Sequence, residues 1–141
     1  FYGCAMRHKI SAAGAAVVVL ALAPGCTADD GSTELSITVT PAESTPPETW
    51  ALSCNPTGGN HPDAEAACAF LAQQADAGTD PFAPVPDDVA CTQQYGGPAV
   101  ATVEGTWEGG AVSTSYSLTN GCEIARWTLA EPLLVYPPFA N

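Results

Sequence analysis

The sequence predicts an α+β domain, and three local patterns carry that prediction. Leu35-Ser36-Ile37-Thr38-Val39-Thr40 alternates apolar and polar side chains with the period of a half-buried antiparallel strand. Ala64, Ala67, Cys68, Leu71 and Ala75 recur at the spacing that lines them along one side of a helix. Gly109-Gly110, set between two strand-like runs, is a favoured two-residue hairpin turn.

Taken in chain order, the first strand gives way at Pro41 to a loop rich in proline and threonine that lasts to Thr49. Trp50-Ala51-Leu52-Ser53-Cys54 resumes the alternation as a second strand. Asn55 to Pro62 reads as turn, since Asn-Pro, Gly-Gly and His-Pro follow in quick succession. A helix then starts near Asp63, where Asp63 and Glu65 suit its positive end, and Gly78 is its stop. Thr79 to Asp88, with Pro81, Pro84 and Pro86, is an irregular connection. Ala99 to Glu104 and Thr106-Trp107-Glu108 are strand, and the return strand sets Val112, Thr114, Tyr116 and Leu118 on one face. A short helical turn is expected from Glu123 to Trp127. The tail Glu131 to Asn141 carries Leu133, Leu134, Val135, Tyr136 and Phe139 and is expected to pack on the domain.

The chain's start has a different character. Met6-Arg7-His8-Lys9 reads as a start with a short cationic region, which leaves residues 1–5, with Cys4, upstream of it. Ile10 to Ala23 is an uncharged apolar run of 14 residues, the length of a signal-peptide core and too short to span a bilayer. It ends Leu22-Ala23-Pro24-Gly25-Cys26, which resembles a bacterial lipobox with Cys26 as the lipidated residue. Cleavage after Ala21-Leu22-Ala23 with plain secretion, and a retained anchor, are the rival readings. The expected organisation is 1–25 as upstream residues plus signal peptide, 26–34 as lipidated cysteine and linker, and 35–141 as the folded domain. Export follows on the first two readings, to the cell surface or to the medium, and makes disulfides expected among the six cysteines.

Composition narrows the function classes. Hydrophobic residues are 46% of the chain, but many are alanine, so the core is thin and suits covalent bracing. The net charge is −12, all 15 acids lie at or after Asp29, and Arg126 is the only cation beyond Lys9. Such a surface repels nucleic acid and anionic lipid, so the only membrane contact expected is through an N-terminal lipid.

The motifs of catalysis are missing. There is no G-x-S-x-G, H-E-x-x-H or P-loop pattern and no C-x-x-C pair, so no enzyme, metal or cofactor is expected. His61-Pro62-Asp63 matches the tripeptide of J-domain co-chaperones but lacks the basic helix that must precede it. Asp29-Asp30 and Asp87-Asp88 read as solvated acidic loop rather than calcium ligands. Trp50, Trp107 and Trp127 read as packing residues rather than a ligand cage.

A set of segments from Leu35 to Arg126 resembles the Streptomyces subtilisin inhibitor family. They are Leu35-Ser36-Ile37-Thr38-Val39, Leu52-Ser53-Cys54, His61-Pro62 before Cys68, Val89-Ala90-Cys91-Thr92-Gln93-Gln94-Tyr95, Val103-Glu104-Gly105-Thr106-Trp107-Glu108-Gly109, and Thr119-Asn120-Gly121-Cys122-Glu123. The resemblance implies a five-stranded antiparallel sheet with two helices packed on one face, and a homodimer as a possible assembly. It also implies the disulfides Cys54–Cys68 and Cys91–Cys122, where spacing alone leaves three pairings of these four cysteines.

Carried over, the family's role is that of a serine-protease inhibitor that mimics substrate, with a subtilisin-like or related serine protease as partner. The scissile bond falls at Gln93–Gln94, with Ala90, Cys91 and Thr92 on the acyl side. Tyr95 supports the leaving side and Asn120 braces the loop from the neighbouring segment. Such a loop inhibits when it is held so rigidly that little ordering is left to do on binding and the cut ends cannot part. Two features set this loop apart: Gln93 is polar where subtilisins favour a larger apolar group, and Gly96-Gly97-Pro98 is one residue longer than usual. The glycines would loosen the loop. The competing reading is therefore a surface-anchored binding or structural module that keeps the fold without inhibiting.

Overall fold

The computed structural model describes residues 31–136. The expected leader 1–25, Cys4, the lipidation candidate Cys26 and the tail residue Phe139 lie outside the described residues. Five strands form one antiparallel sheet: β1 (Thr33–Thr40), β2 (Glu48–Cys54), β3 (Gly58–Gly59), β4 (Val100–Trp107) and β5 (Gly110–Ser117), in the order β3-β2-β1-β4-β5. Three helices accompany it: α1 (Ala64–Ala77), α2 (Gly121–Leu129) and the four-residue α3 (Glu131–Leu134). The fold is the expected α+β arrangement, with two full helices and one short one.

The alternation in β1 does what its period dictates. Leu35, Ile37 and Val39 are buried while Glu34 and Ser36 face water. The same side of the sheet contributes Leu52, Ala101, Val103, Tyr116 and Leu118, and the helices cover it with Leu71, Trp127, Leu133 and Leu134. Trp127 is fully buried and donates its ring N–H to the Tyr136 carbonyl at 2.6 Å, so the tail packs as far as it is described.

Helix α1 has the expected ends. Asp63 accepts the Ala66 N–H at 3.2 Å as N-cap, and Gly78 closes the helix at φ +67°. The sequence periodicity understated its inner face. Phe70 is buried beside Ala67 and Leu71, while Ala64, Cys68 and Ala75 are only half-buried. Cys54–Cys68 ties this helix to β2. His61 is a buried structural link: its Nδ1 accepts the Asp63 N–H at 3.1 Å and its Nε2–H donates to the Leu133 carbonyl at 2.8 Å. It therefore joins the start of α1 to α3.

Several boundaries differ from the sequence reading. The turn after Cys54 contains β3, two residues paired with Leu52 and Ser53. Gly59 there adopts φ +96°, and a side chain on it would strike the Ala51 carbonyl. The β4–β5 turn is Glu108-Gly109, not Gly109-Gly110: Trp107 pairs with Gly110, and both turn residues have positive φ, at +50° and +76°. The sequence Glu-Gly-Gly offers two overlapping frames. The one adopted sets the Tyr116 ring opposite Ala101, whereas the other would set it opposite the larger Val103.

Tyr116 is buried with its hydroxyl donating to the Pro81 carbonyl at 2.9 Å. Burial pushes its phenol well above the ordinary value of about 10, the Arg126 cation opposes that, and the Asp80 and Glu123 carboxylates add to it. The folded state thus holds the proton more tightly than the unfolded chain. This contribution to stability is whole below about pH 10 and is lost as pH rises beyond it. Urea unfolding at about pH 8 and about pH 11 is expected to show a fall in midpoint that Tyr116→Phe reduces. An equal fall in the variant would assign the alkaline loss elsewhere.

Candidate functional site

One end of the sheet carries the loop to which the sequence reading points. Its approach is anchored at Phe82, buried with its ring edge-on to Trp107 at 5.4 Å between centroids. From Ala83 the chain runs over the surface, with Val85 and Cys91 half-buried, until Ala99 re-enters the core ahead of β4. Ala90, Thr92, Gln93, Gln94 and Tyr95 are all exposed, Tyr95 to 65%. No charged group stands between Val89 and Glu104, and Asp87 and Asp88 precede the loop.

The segment Leu118–Cys122 lies against this loop and ties it on both sides of Gln93–Gln94. On the N-terminal side, Cys91 is bridged to Cys122 with 5.4 Å between Cα atoms. The Thr92 carbonyl accepts the Gly121 N–H at 3.0 Å. On the C-terminal side, the Gly96 N–H donates to the Leu118 carbonyl at 2.8 Å. The dipeptide Gln93-Gln94 is thus presented to solvent between two short, fixed legs.

Asn120 acts through the helix beside it. Its side chain accepts the Glu123 N–H at 3.0 Å and caps α2, while the hydrogen bond to the loop comes from Gly121. Gly121 and Gly96 are the residues that sequence reasoning missed here. A side chain on Gly121 would land on Thr92 Oγ1, and one on Gly96 would meet Leu118 and Ile124 at 3.2 Å. Gly96 therefore docks the loop by close approach rather than loosening it, while Gly97 takes φ +127°, which favours glycine. The only advance signal was a glycine beside each anchor.

Gly121→Ala should displace Thr92 and break its carbonyl's hydrogen bond. The expected result is about tenfold faster amide hydrogen exchange at residue 121, with the melting temperature little changed, measured by hydrogen exchange and thermal unfolding. Unaltered exchange would show that the bond between Gly121 and Thr92 does not hold the loop.

A groove of about 590 Å³ is lined from α1, the end of α2 and α3, with Phe70, Leu129 and Val135 among its walls. Among the described residues no three His, Cys, Asp or Glu side chains converge as a metal site.

The family model for subtilisin inhibitor-like domains matches residues 31–120. The chain belongs to the subtilisin inhibitor-like family. Among similar members, subtilisin inhibitor-like protein 3 of Streptomyces coelicolor is 42% identical over 83 residues, spanning 57% of this chain and 74% of that one. Subtilisin inhibitor-like protein 1 of Streptomyces cacaoi is 38% identical over 82 residues, 55% and 70% of the respective chains. The structure is also similar to Streptomyces caespitosus sermetstatin, solved in complex with Bacillus licheniformis subtilisin. That likeness has a TM-score of 0.49 and 22% identity, over 75% of this chain and all of the other. The two Streptomyces relatives are subtilisin inhibitor-like proteins by name. The matched region ends two residues before Cys122, so the second half of the loop's disulfide and α2 lie beyond it.

Proposed function

We propose that the chain inhibits a subtilisin-like or related serine endopeptidase by substrate mimicry, with Gln93–Gln94 as the bond offered to the nucleophile. The observation that carries this reading is the pair of ties flanking that bond. Cys91–Cys122 and the Thr92–Gly121 hydrogen bond hold the acyl side, and the Gly96–Leu118 hydrogen bond holds the leaving side. A protease binds extended substrate by backbone pairing and reads side chains through pockets. Here the exposed run Thr92-Gln93-Gln94-Tyr95 presents both backbone and side chains while its ends stay on the body.

After cleavage, the new termini would remain on anchors fixed to one short segment. The leaving amine would stay near the acyl-enzyme, so resynthesis competes with release. The inhibitor reading is preferred to the non-inhibitory module because these ties supply the rigidity that inhibition needs. Export places such a molecule where proteases act, with Cys26 as a lipid anchor or with free secretion.

Titration of subtilisin, a trypsin-like protease and a glutamine-tolerant serine protease with the purified chain tests the proposal. Stoichiometric inhibition of one of them, with Gln93–Gln94 intact or nicked very slowly, is the expected result. Rapid cleavage at this bond, or no effect on any of the three, would favour the non-inhibitory module.

A further inference from the structure

Arg126 is the only cation among the described residues, and its side chain is just 14% exposed. A buried ion pair adds little to stability over an apolar replacement of similar size, because desolvation cancels most of the attraction. What a guanidinium adds is direction: a flat, rigid fork of donors that fixes the elements it bridges. Here the fork bridges two elements. One terminal nitrogen donates to Glu123 Oε2 at 2.7 Å within α2 and to the Ser115 carbonyl of β5 at 3.2 Å. The other donates to Thr114 Oγ1 at 3.3 Å. The guanidinium carbon sits 4.7 Å from the centre of the Tyr116 ring.

Each bridged element carries part of the loop's support. Gly121 and Cys122, which hold Thr92 and Cys91, are the first residues of α2. Leu118, which holds Gly96, lies just past the end of β5. Tyr116, beneath the guanidinium, hydrogen-bonds the Pro81 carbonyl on the approach to the loop. Any tilt of α2 on β5 would move the acyl-side ties relative to the leaving-side tie and change the distance the Gln93–Gln94 segment must span.

We propose that Arg126 is a positioning residue for the inhibitory loop: it locks α2 onto β5 and so fixes the spacing of the ties on either side of Gln93–Gln94. This rests on the loop being inhibitory, but the positioning itself is measurable without a protease. The test is amide hydrogen exchange on the full chain, comparing wild type, R126M paired with E123Q so that no carboxylate is left unpartnered, and R126K. The amides of Gly121 and Gly96 are expected to exchange about tenfold faster in both variants, while those of Ile37 and Val103 keep their wild-type rates. With a susceptible protease, Gln93–Gln94 is expected to be cut correspondingly faster.

Unchanged exchange at Gly121 and Gly96 would overturn the proposal. So would acceleration by the same factor at Ile37 and Val103, which would make Arg126 a general stabiliser. Full recovery in R126K would also overturn it, since charge alone would then suffice without the fork. If the wild type inhibits nothing while the exchange pattern holds, the positioning role stands and the inhibitory reading falls.

Discussion

Under the proposed mechanism, replacing Cys91 and Cys122 together by serine is expected to turn a slowly cut inhibitor into an ordinary substrate. The bridge closes a loop with a sequence separation of 31, and the chain-entropy estimate gives about 3.7 kcal/mol of stability for it. Set against a typical domain stability of about 5–15 kcal/mol, that loss leaves most molecules folded but weakened. The effect on inhibition should be larger than the effect on stability. Without the bridge, the Gly121–Thr92 hydrogen bond is left to keep the N-terminal side of the loop in place, and a net hydrogen bond contributes about 1 kcal/mol. The new carboxyl end would then leave the body after cleavage. The control is Cys54→Ser with Cys68→Ser, which removes a bridge between β2 and α1. Its separation of 14 predicts a comparable loss of about 3 kcal/mol. Denaturant midpoints, inhibition constants and the rate of Gln93–Gln94 cleavage would be measured on both. Only the Cys91/Cys122 variant should lose inhibition. Equal inhibition by the two would mean that the disulfide at Cys91 is structural and that the loop is held by other means.

What could be read from the sequence was what repeats or what is chemically distinctive. The alternation from Leu35 to Val39 and the Asp63 and Gly78 ends of α1 were legible because period and capping are local properties. The loop and its bridges came through resemblance, carried by cysteines whose spacing alone left the pairing open. The missed features depend on partners distant in sequence. Phe70 is the exception, since it sits three residues past Ala67 on the same helix face, whereas β3 exists because Gly58 and Gly59 meet Leu52 and Ser53. The β4–β5 turn lies at Glu108-Gly109 rather than one residue further on, which sets Ala101 opposite Tyr116, a pairing that no local rule weighs. In the same way, nothing in the tripeptide around Gly121 announces that its N–H meets Thr92, since that contact requires the fold to be complete. Arg126 was visible as a lone cation, yet its three acceptors lie on two separate elements.

Gln93→Leu is the substitution expected to change protease affinity most without touching the fold. Gln93 is exposed, so exchanging its side chain should alter stability by no more than about 0.5 kcal/mol. In a complex with an enzyme whose main pocket is apolar, the glutamine amide must leave water without matched partners, at a cost of roughly 0.5–3 kcal/mol. Leucine removes that cost and adds apolar burial, so binding to such a subtilisin should tighten by up to about a hundredfold. The opposite sign is expected with an enzyme whose pocket is built to hydrogen-bond an amide. There leucine would strand the pocket's own polar groups, and binding should weaken by tenfold or more, about 1.4 kcal/mol. Inhibition constants for wild type and variant against both kinds of protease therefore reveal the class of target as well as the position of the contact. A variant that binds every enzyme as the wild type does would show that residue 93 does not enter the pocket, and the scissile bond would have to be sought elsewhere on the loop.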